Sequence, residues 1–375
     1  MGEREQQLVI RDRRAALTPS DGPRTAPPPG GHIAAVDVFC GIGGLSSGLA
    51  AAGIEVVAGV DLDGSCRFPF EANVAGARFI ERDVREVTSA ELSDLWPDGA
   101  VRLLAGCAPC QPFSSYRKGT SSSNDSRWAL LRQLARLVEE TRPELVTTEN
   151  VPRIRGKSIF QDFAIRLRRL GYSIDYRICP CTEYGIAQTR RRLVLVGSLL
   201  GHVNVPDGAQ RDCPPKTVAQ AIGHLPPIEA GTADEADPMH RSRALSQLNL
   251  RRIAVSKPGG TWHDWPEELR AACHRRTTGA AFRNVYARMR WDRPSPTVTT
   301  YFHNFGAGRF GHPEQDRAIS LREAAILQGF PEDYQFVSVE GDVRLTTLGR
   351  HIGNAVPPPL AEAIGRAFVA SLKEE

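Results

Sequence analysis

The chain has 375 residues, 41% of them hydrophobic, with eight cysteines and a formal net charge of +4. No apolar run approaches the roughly 20 residues that span a bilayer, no apolar segment ahead of a cleavage site marks secretion, and the cysteine spacing is not that of a disulfide framework. Membrane-spanning and disulfide-scaffold classes are therefore excluded, and a folded cytoplasmic protein with reduced thiols is expected.

Residues 1–32 are polar, with prolines at Pro19, Pro23, Pro27, Pro28 and Pro29 and no hydrophobic period, so they read as a disordered tail. From Ile33 to Ser198, short apolar runs alternate with helical patterns. Strands are predicted at 33–40, 55–61, 78–81, 101–106, 144–149, 172–178 and 191–197. Helices are predicted near 44–52, 64–74, 127–141 and 158–170. In the third of these helices, Leu130, Leu131, Leu134, Leu137 and Val138 share one face. Strands alternating with helices predict an α/β fold built on a doubly wound, mostly parallel sheet. Regularity fails over 199–290, which reads as a smaller, irregular second domain. It carries 13 Lys and Arg against 9 Asp and Glu, plus five of the nine histidines, and leaves the rest of the chain near neutral. Such a segment is either an ordinary solvated face or a phosphate-binding surface. Residues 291–375 form a further α/β-like stretch that closes in a helix at about 360–372.

The first strand runs into Asp37-Val38-Phe39-Cys40-Gly41-Ile42-Gly43-Gly44, and a helix follows. Glycines at a strand-to-helix turn let backbone approach a ligand, and the helix N-terminus offers free N–H groups. The spacing is not Gly-x-Gly-x-x-Gly. The second strand ends in Val60-Asp61-Leu62-Asp63, where an acid can accept ribose hydroxyls. The third ends in Arg82-Asp83-Val84. Three such strand ends describe a nucleoside pocket. No Lys follows these glycines, which argues against ATP hydrolysis.

The fourth strand runs into Gly106-Cys107-Ala108-Pro109-Cys110-Gln111-Pro112-Phe113-Ser114. Pro109 and Pro112 fix the backbone on either side of Cys110, and a thiol held in this way is a candidate nucleophile. A lone cysteine is otherwise a small buried hydrophobe. Glu149-Asn150-Val151 ends the fifth strand and puts a carboxylate beside the Cys110 loop if the sheet is doubly wound. A partly desolvated carboxyl can donate a proton, although a simple turn acid is the alternative. In Gln188-Thr189-Arg190-Arg191-Arg192, strand alternation sends Arg190 and Arg192 to one face, where guanidiniums suit a phosphate or a base carbonyl. A solvated edge guard is the other reading.

Together these residues resemble the cytosine-5 DNA methyltransferases dependent on S-adenosylmethionine, of the bacterial restriction–modification type, over about Ala34 to Leu372. Phe39, Gly41, Gly43 and Gly44 resemble the cofactor loop. Asp61 and Asp83 fall where the ribose- and adenine-contacting acids lie. Pro109-Cys110-Gln111 matches the nucleophile motif, Glu149-Asn150-Val151 the acid motif, and Gln188-x-Arg190-x-Arg192 the base- and backbone-contacting motif. Arg293-Pro294-Ser295-Pro296-Thr297-Val298-Thr299-Thr300 resembles the element that supports the recognition domain. Gly353-Asn354-Ala355-Val356-Pro357 resembles the motif that completes the cofactor pocket, with Asn354 in contact. Two departures are Ala355, where the family often has Ser, and Ala187, where it often has Pro.

The resemblance implies a class I methyltransferase fold, with 33–198 as the catalytic and cofactor-binding domain, 199–290 as the target-recognition domain and 291–375 returning to the first. It implies S-adenosylmethionine as cofactor, double-stranded DNA as partner and base flipping. A monomer, a nucleoid-associated location, no metal and a cognate endonuclease encoded nearby are also expected. Cys110 would attack cytosine carbon 6 and Glu149 would bind N3 and the exocyclic amine. Arg192 would hold O2, with Arg190 nearby on the phosphate backbone or the loop. Within 199–290 the side chains to watch are Trp262, His263, Trp265, Arg275, Arg276, Arg283 and Asn284. Three other readings are a tRNA cytosine-5 methyltransferase, a catalytically idle DNA-binding homologue, and a zinc module through Cys107, Cys110, Cys179 and Cys181.

Overall fold

The computed structural model describes residues 32–109, 129–210, 215–276, 279 and 284–373. The seven strands are β1 (Ile33–Val38), β2 (Glu55–Asp61), β3 (Arg78–Glu81), β4 (Val101–Gly106), β5 (Leu145–Asn150), β6 (Ser173–Pro180) and β7 (Arg191–Ser198). They form one sheet in the order β3-β2-β1-β4-β5-β7-β6. The first five are parallel, and β7 inserts antiparallel between β5 and β6. The mostly parallel α/β fold is thus present, with the chain reversing at its last two strands. Nothing in an apolar run encodes strand direction. The β6–β7 link holds one 3-10 turn, Cys181–Tyr184, where a parallel crossover would need a dozen or more residues.

Every residue of β1 is buried, as a strand covered on both faces requires. Ala34, Val36 and Val38 join one core with Leu104, Leu134, Leu137, Phe160 and Phe163. Ile33 and Ala35 join the other with Leu45, Leu49, Phe70, Leu103, Ile364 and Phe368. The helices behind these cores are α1 (Gly44–Ala51), α2 (Arg67–Asn73), the short α3 (Ser89–Ser93), α4 (Ala129–Thr141) and α5 (Ser158–Arg169). The predicted stripe on α4 is the buried one, with Leu131, Leu134, Leu137 and Val138 inside. Helix α3 escapes the 3.6-residue period because it is a single turn, yet Thr88 and Glu91 form a capping box that starts it.

Among the described residues of 199–290 there are two short helices, α6 (Val218–Ile222) and α7 (Gln247–Ala254), joined by turns. A small separate core forms here from Ile253, Trp262, Trp265 and Leu269, together with Phe305 and Ala318. Arg288 is buried and donates to Ile253 O, Ser256 O and His312 O, closing the C-terminal end of α7.

The stretch from 291 onward differs from the expected α/β pattern. Its described residues hold no strand, only isolated bridges and the helices α8 (Leu321–Gln328), α9 (Leu345–Asn354) and α10 (Pro358–Ser371). Ser320 and Glu323 cap α8 reciprocally, and Glu323 is also paired with the fully buried Arg317 at 2.7 Å. Helix α10 lies along α1 and brings the segment 353–357 against the glycine loop that follows β1. A Cβ on Gly44 would sit 2.3 Å from Val356 O, so only glycine admits this contact.

Candidate active site

The carboxyl ends of β1 and β2 are stitched together. Phe39 and Cys40 both donate their N–H to Val60 O, at 2.8 and 3.2 Å. Phe39 holds φ at 63° and Gly41 at 51°, so the chain turns through the left-handed region before α1. An aromatic residue there stores strain of about 1–3 kcal/mol, of the kind that gathers at ligand sites. Gly43 caps α1 at φ 85° and no side chain covers the helix's first amides. A Cβ added to Gly41 would meet nothing within 4 Å, so this part of the loop borders open space.

Asp61 closes β2 and ties its carboxyl end to the glycine turn. Its Oδ2 accepts the Gly41 N–H and its Oδ1 the Asp63 N–H, each at 2.9 Å. Each oxygen keeps a second lone pair for a ligand hydroxyl. The next residue, Leu62, is 66% exposed and offers an apolar surface beside that acid. Asn354, at the end of α9, is exposed and its amide makes no hydrogen bond to a described residue. Asp83 is placed differently. Arg85 engages both its oxygens, through Nε at 3.0 Å to each, and Asp83 also accepts the Arg85 N–H. The paired guanidinium holds the Asp83 carboxyl below its ordinary range. This donor set, an open glycine turn, an acid, an apolar ledge and a side-chain amide with no partner among the described residues, fits a nucleoside bearing an amino-acid tail.

Sequence reading named Asp37 only as part of the loop, but the structure gives it a distinct role. It is wholly buried and accepts the Ser46 hydroxyl at 2.7 Å, pinning α1 to β1. Loss of water around it, with Asp61 nearby, raises its carboxyl to about 7 against the pull of Ser46.

On the other side of the sheet's carboxyl edge, Asn150 Nδ2 donates to Ala108 O at 3.1 Å and ties β5 to the loop after β4. Cys110, with Gln111 to Ser114, lies outside the described residues. Glu149 is 8% exposed, and Arg192 Nε on neighbouring β7 stands 2.7 Å from its Oε1. The structure therefore brings Glu149 and Arg192 together beside the loop that leads to Cys110.

Arg190, expected on the phosphate backbone or the loop, is built into the interior of the molecule. It is 2% exposed, and its guanidinium donates to Val298 O, Gly353 O and Ala355 O at 3.2 to 3.4 Å. Burial among backbone carbonyls makes it the joint between β7, the 293–300 segment and the end of α9. Gln188 works in the same joint. Its Oε1 accepts the Val298 N–H at 2.9 Å, and its amide donates to Gln328 Oε1 at 2.8 Å. Gln328 in turn donates to Ala355 O at 2.7 Å. Gln328 was missed in the sequence because a glutamine at a helix end carries no pattern.

Two of the side chains singled out in the 199–290 segment are core residues. Trp262 and Trp265 are 3% and 2% exposed and form the small core, where Trp262 stacks on His263 and His274 at 3.9 and 4.3 Å. Large aromatics in a segment this short are needed to build a core at all. Arg275 is exposed but leans on Glu267, whereas Arg276 and Asn284 are exposed with no such partner among the described residues, and Arg283 lies outside them. Cys179 and Cys181 are buried, which pushes their thiols up to about 11 and 12, and no described ligand group converges on them. No described helix is long and apolar enough to cross a membrane.

Comparison with known proteins agrees with this geometry. The profile of the C-5 cytosine-specific DNA methylase family matches residues 33–370. The Type II methylase M.HgiDII of Herpetosiphon aurantiacus is 45% identical over 343 residues, covering 91% of this chain and 95% of that protein. The Type II methyltransferase M1.HphI of Haemophilus parahaemolyticus is 30% identical over 340 residues, covering 89% and 86%. A solved structure described as a DNA modification methyltransferase encoded within a prophage (E. coli) superposes with a TM-score of 0.69 at 23% identity, over 92% of this chain and 100% of that one, and shares the fold. The chain belongs to the C-5 cytosine-specific DNA methylase family.

Proposed function

We propose that this chain is the modification enzyme of a restriction–modification pair, methylating carbon 5 of a flipped cytosine in a specific duplex sequence through a covalent Cys110 adduct. Cytosine-5 methylation of DNA is the family's reaction and this chain's. The finer reading rests on one observation above the others: Glu149 on β5 and Arg192 on β7 meet at 2.7 Å beside the loop that leads to Cys110.

S-adenosylmethionine, when bound, supplies the electrophilic methyl group. Phe39, Gly41, Gly43, Gly44, Asp61 and Asn354 would hold it, and Asp83, committed to Arg85, would act by shaping the wall. Carbon 5 of cytosine is a weak nucleophile, so the Cys110 thiolate adds to carbon 6 and makes carbon 5 an enamine carbon. Glu149 holds N3 and the exocyclic amine and delivers a proton at N3, while Arg192 holds the O2 carbonyl. Loss of the carbon-5 proton and β-elimination then release the sulfur. These atoms are out of reach in a stacked duplex, so the base is flipped at a cost of a few kcal/mol. Residues 199–290 read the surrounding sequence, with Arg276 and Asn284 best placed for contact by their exposure.

Bisulfite sequencing of host DNA from a strain expressing the protein tests the whole reading. Conversion-resistant cytosines in one recurrent sequence support it. An unchanged methylome, with methyl groups found in tRNA, overturns it.

A further inference from the structure

Asp63 lies two residues past Asp61, and its carboxylate crosses from the β2 tip to helix α9. Its Oδ2 stands 2.8 Å from Arg350 Nη2 and 3.1 Å from His351 Nε2. Its Oδ1 accepts the Ser65 N–H at 3.2 Å and the Ser65 hydroxyl at 2.5 Å. The Asp63 N–H is itself given to Asp61, whose other oxygen holds Gly41. Three residues beyond His351 stands Asn354. A continuous chain of contacts therefore runs from the glycine loop through Asp61 to α9, the helix that ends in Asn354, and Asp63 crosses between the separate segments together with Ser65 Oγ and Cys66 Sγ, which stand 3.3 and 3.7 Å from His351 Nε2.

The contact reaches between elements 288 residues apart in the sequence, yet it is a weak device for holding the whole fold. Arg350 and Asp63 side chains are 50% and 29% exposed, and pairs so exposed contribute little to global stability. Their effect falls instead on the spacing of the two walls, where a ligand spanning both needs fixed geometry. Burial opposes the charge on Asp63, but Ser65, His351 and Arg350 outweigh it and hold the carboxyl down to about 2.

A cation site is the rival use of these groups, because Asp63, Cys66 and His351 place donor atoms within 4.8 Å of one another. Arg350 decides against it. Its guanidinium already occupies Asp63 Oδ2, and a dication beside it would meet like charge.

We infer that Asp63, with His351 and Arg350, is a positioning clasp that sets the distance between Asp61 and Asn354 and so governs affinity for S-adenosylmethionine. The inference rests on the reading of the cofactor pocket given above. Titration calorimetry of S-adenosylmethionine on the full chain, without DNA, tests it, alongside thermal melting and DNA binding. His351→Leu and Asp63→Asn each lose a charge-assisted contact and should weaken cofactor binding about tenfold while DNA affinity and melting temperature hold. His351→Gln, whose amide can still donate to Asp63, should return affinity close to that of the unaltered chain. Equal losses in His351→Leu and His351→Gln would mean simple packing and overturn the clasp. So would a loss of cofactor affinity in the unaltered chain on adding a chelator, since an ion pair needs no metal. Asp61→Ala separates the two levels of argument. If Asp61→Ala binds weakly while Asp63→Asn and His351→Leu bind normally, the clasp is wrong and the pocket stands. If Asp61→Ala also binds normally, both fall.

Discussion

Arg192 Nε lies 2.7 Å from Glu149 Oε1, joining the start of β7 to the end of β5. The pair sits at an edge where the chain changes from parallel to antiparallel, so two residues 43 positions apart in the sequence face one pocket on rigid strands. Glu149→Gln keeps the shape and removes the acid. It should lower the single-turnover rate of methyl transfer by about 10²–10⁴ while cofactor and DNA binding remain, measured with labelled cofactor and by gel shift. Arg192→Lys should also fail to restore the rate, because an ammonium does not reproduce the planar fork.

Arg190 should behave in the opposite way to Arg192. Arg190→Ala leaves Val298 O, Gly353 O and Ala355 O without their buried donor, so urea titration should show a loss of more than about 2 kcal/mol. Arg192→Ala, at the pocket edge, should cost little stability and nearly all the activity. If the two variants exchange these behaviours, the joint has been misassigned.

Much of this was legible in the sequence, for reasons that particular residues make plain. Apolar runs ending in Gly, Asp or Glu located β1 to β5 to within a residue or two, because a doubly covered strand is mostly apolar and turns polar toward its carboxyl end, as in Thr147 to Asn150. The placement of β7 between β5 and β6 was not legible, since pairing partners are set by non-local geometry. Glu149 and Arg192 could be named from their positions at strand ends, but strand alternation alone does not reach Arg190. It precedes β7, and its orientation is set by carbonyls more than 100 residues away. Trp262 and Trp265 misled for a related reason: an aromatic beside basic residues reads alike whether it meets DNA or fills a small core.

Asp37 should leave a signature in the pH dependence of stability. Its carboxyl is raised to about 7 in the folded chain by burial, against about 3.9 in an unfolded one. A raised acid contributes stability that is fully present below about pH 4 and is lost as pH rises through about 7. Asp37→Asn abolishes that titration. Across pH 5 to 8.5, the urea-derived stability of the unaltered chain should fall relative to Asp37→Asn, by at most about 3 kcal/mol. A pH-independent difference would show that Asp37 does not titrate in this range.

Exchange of residues 199–290 with the matching segment of a relative should change the methylated sequence and leave cytosine as the target base. Bisulfite sequencing reads both at once. Within the segment, Arg276→Ala should either relax one base position by about 1–3 kcal/mol or weaken all sites evenly with a shallower salt slope, which distinguishes base reading from phosphate contact. Trp265→Ala should instead destabilise the small core and reduce binding to every sequence.

The covalent step is the centre of the account, and trapping on DNA tests it most directly. An oligonucleotide carrying the sequence found by bisulfite analysis, with 5-fluorocytosine at the target, blocks release of the enzyme after methyl transfer. Peptide mass spectrometry of the trapped complex should place the adduct on Cys110, and Cys110→Ser should form none because its oxygen is far less nucleophilic than a thiolate. An adduct on Cys107, or full trapping by Cys110→Ser, would contradict it.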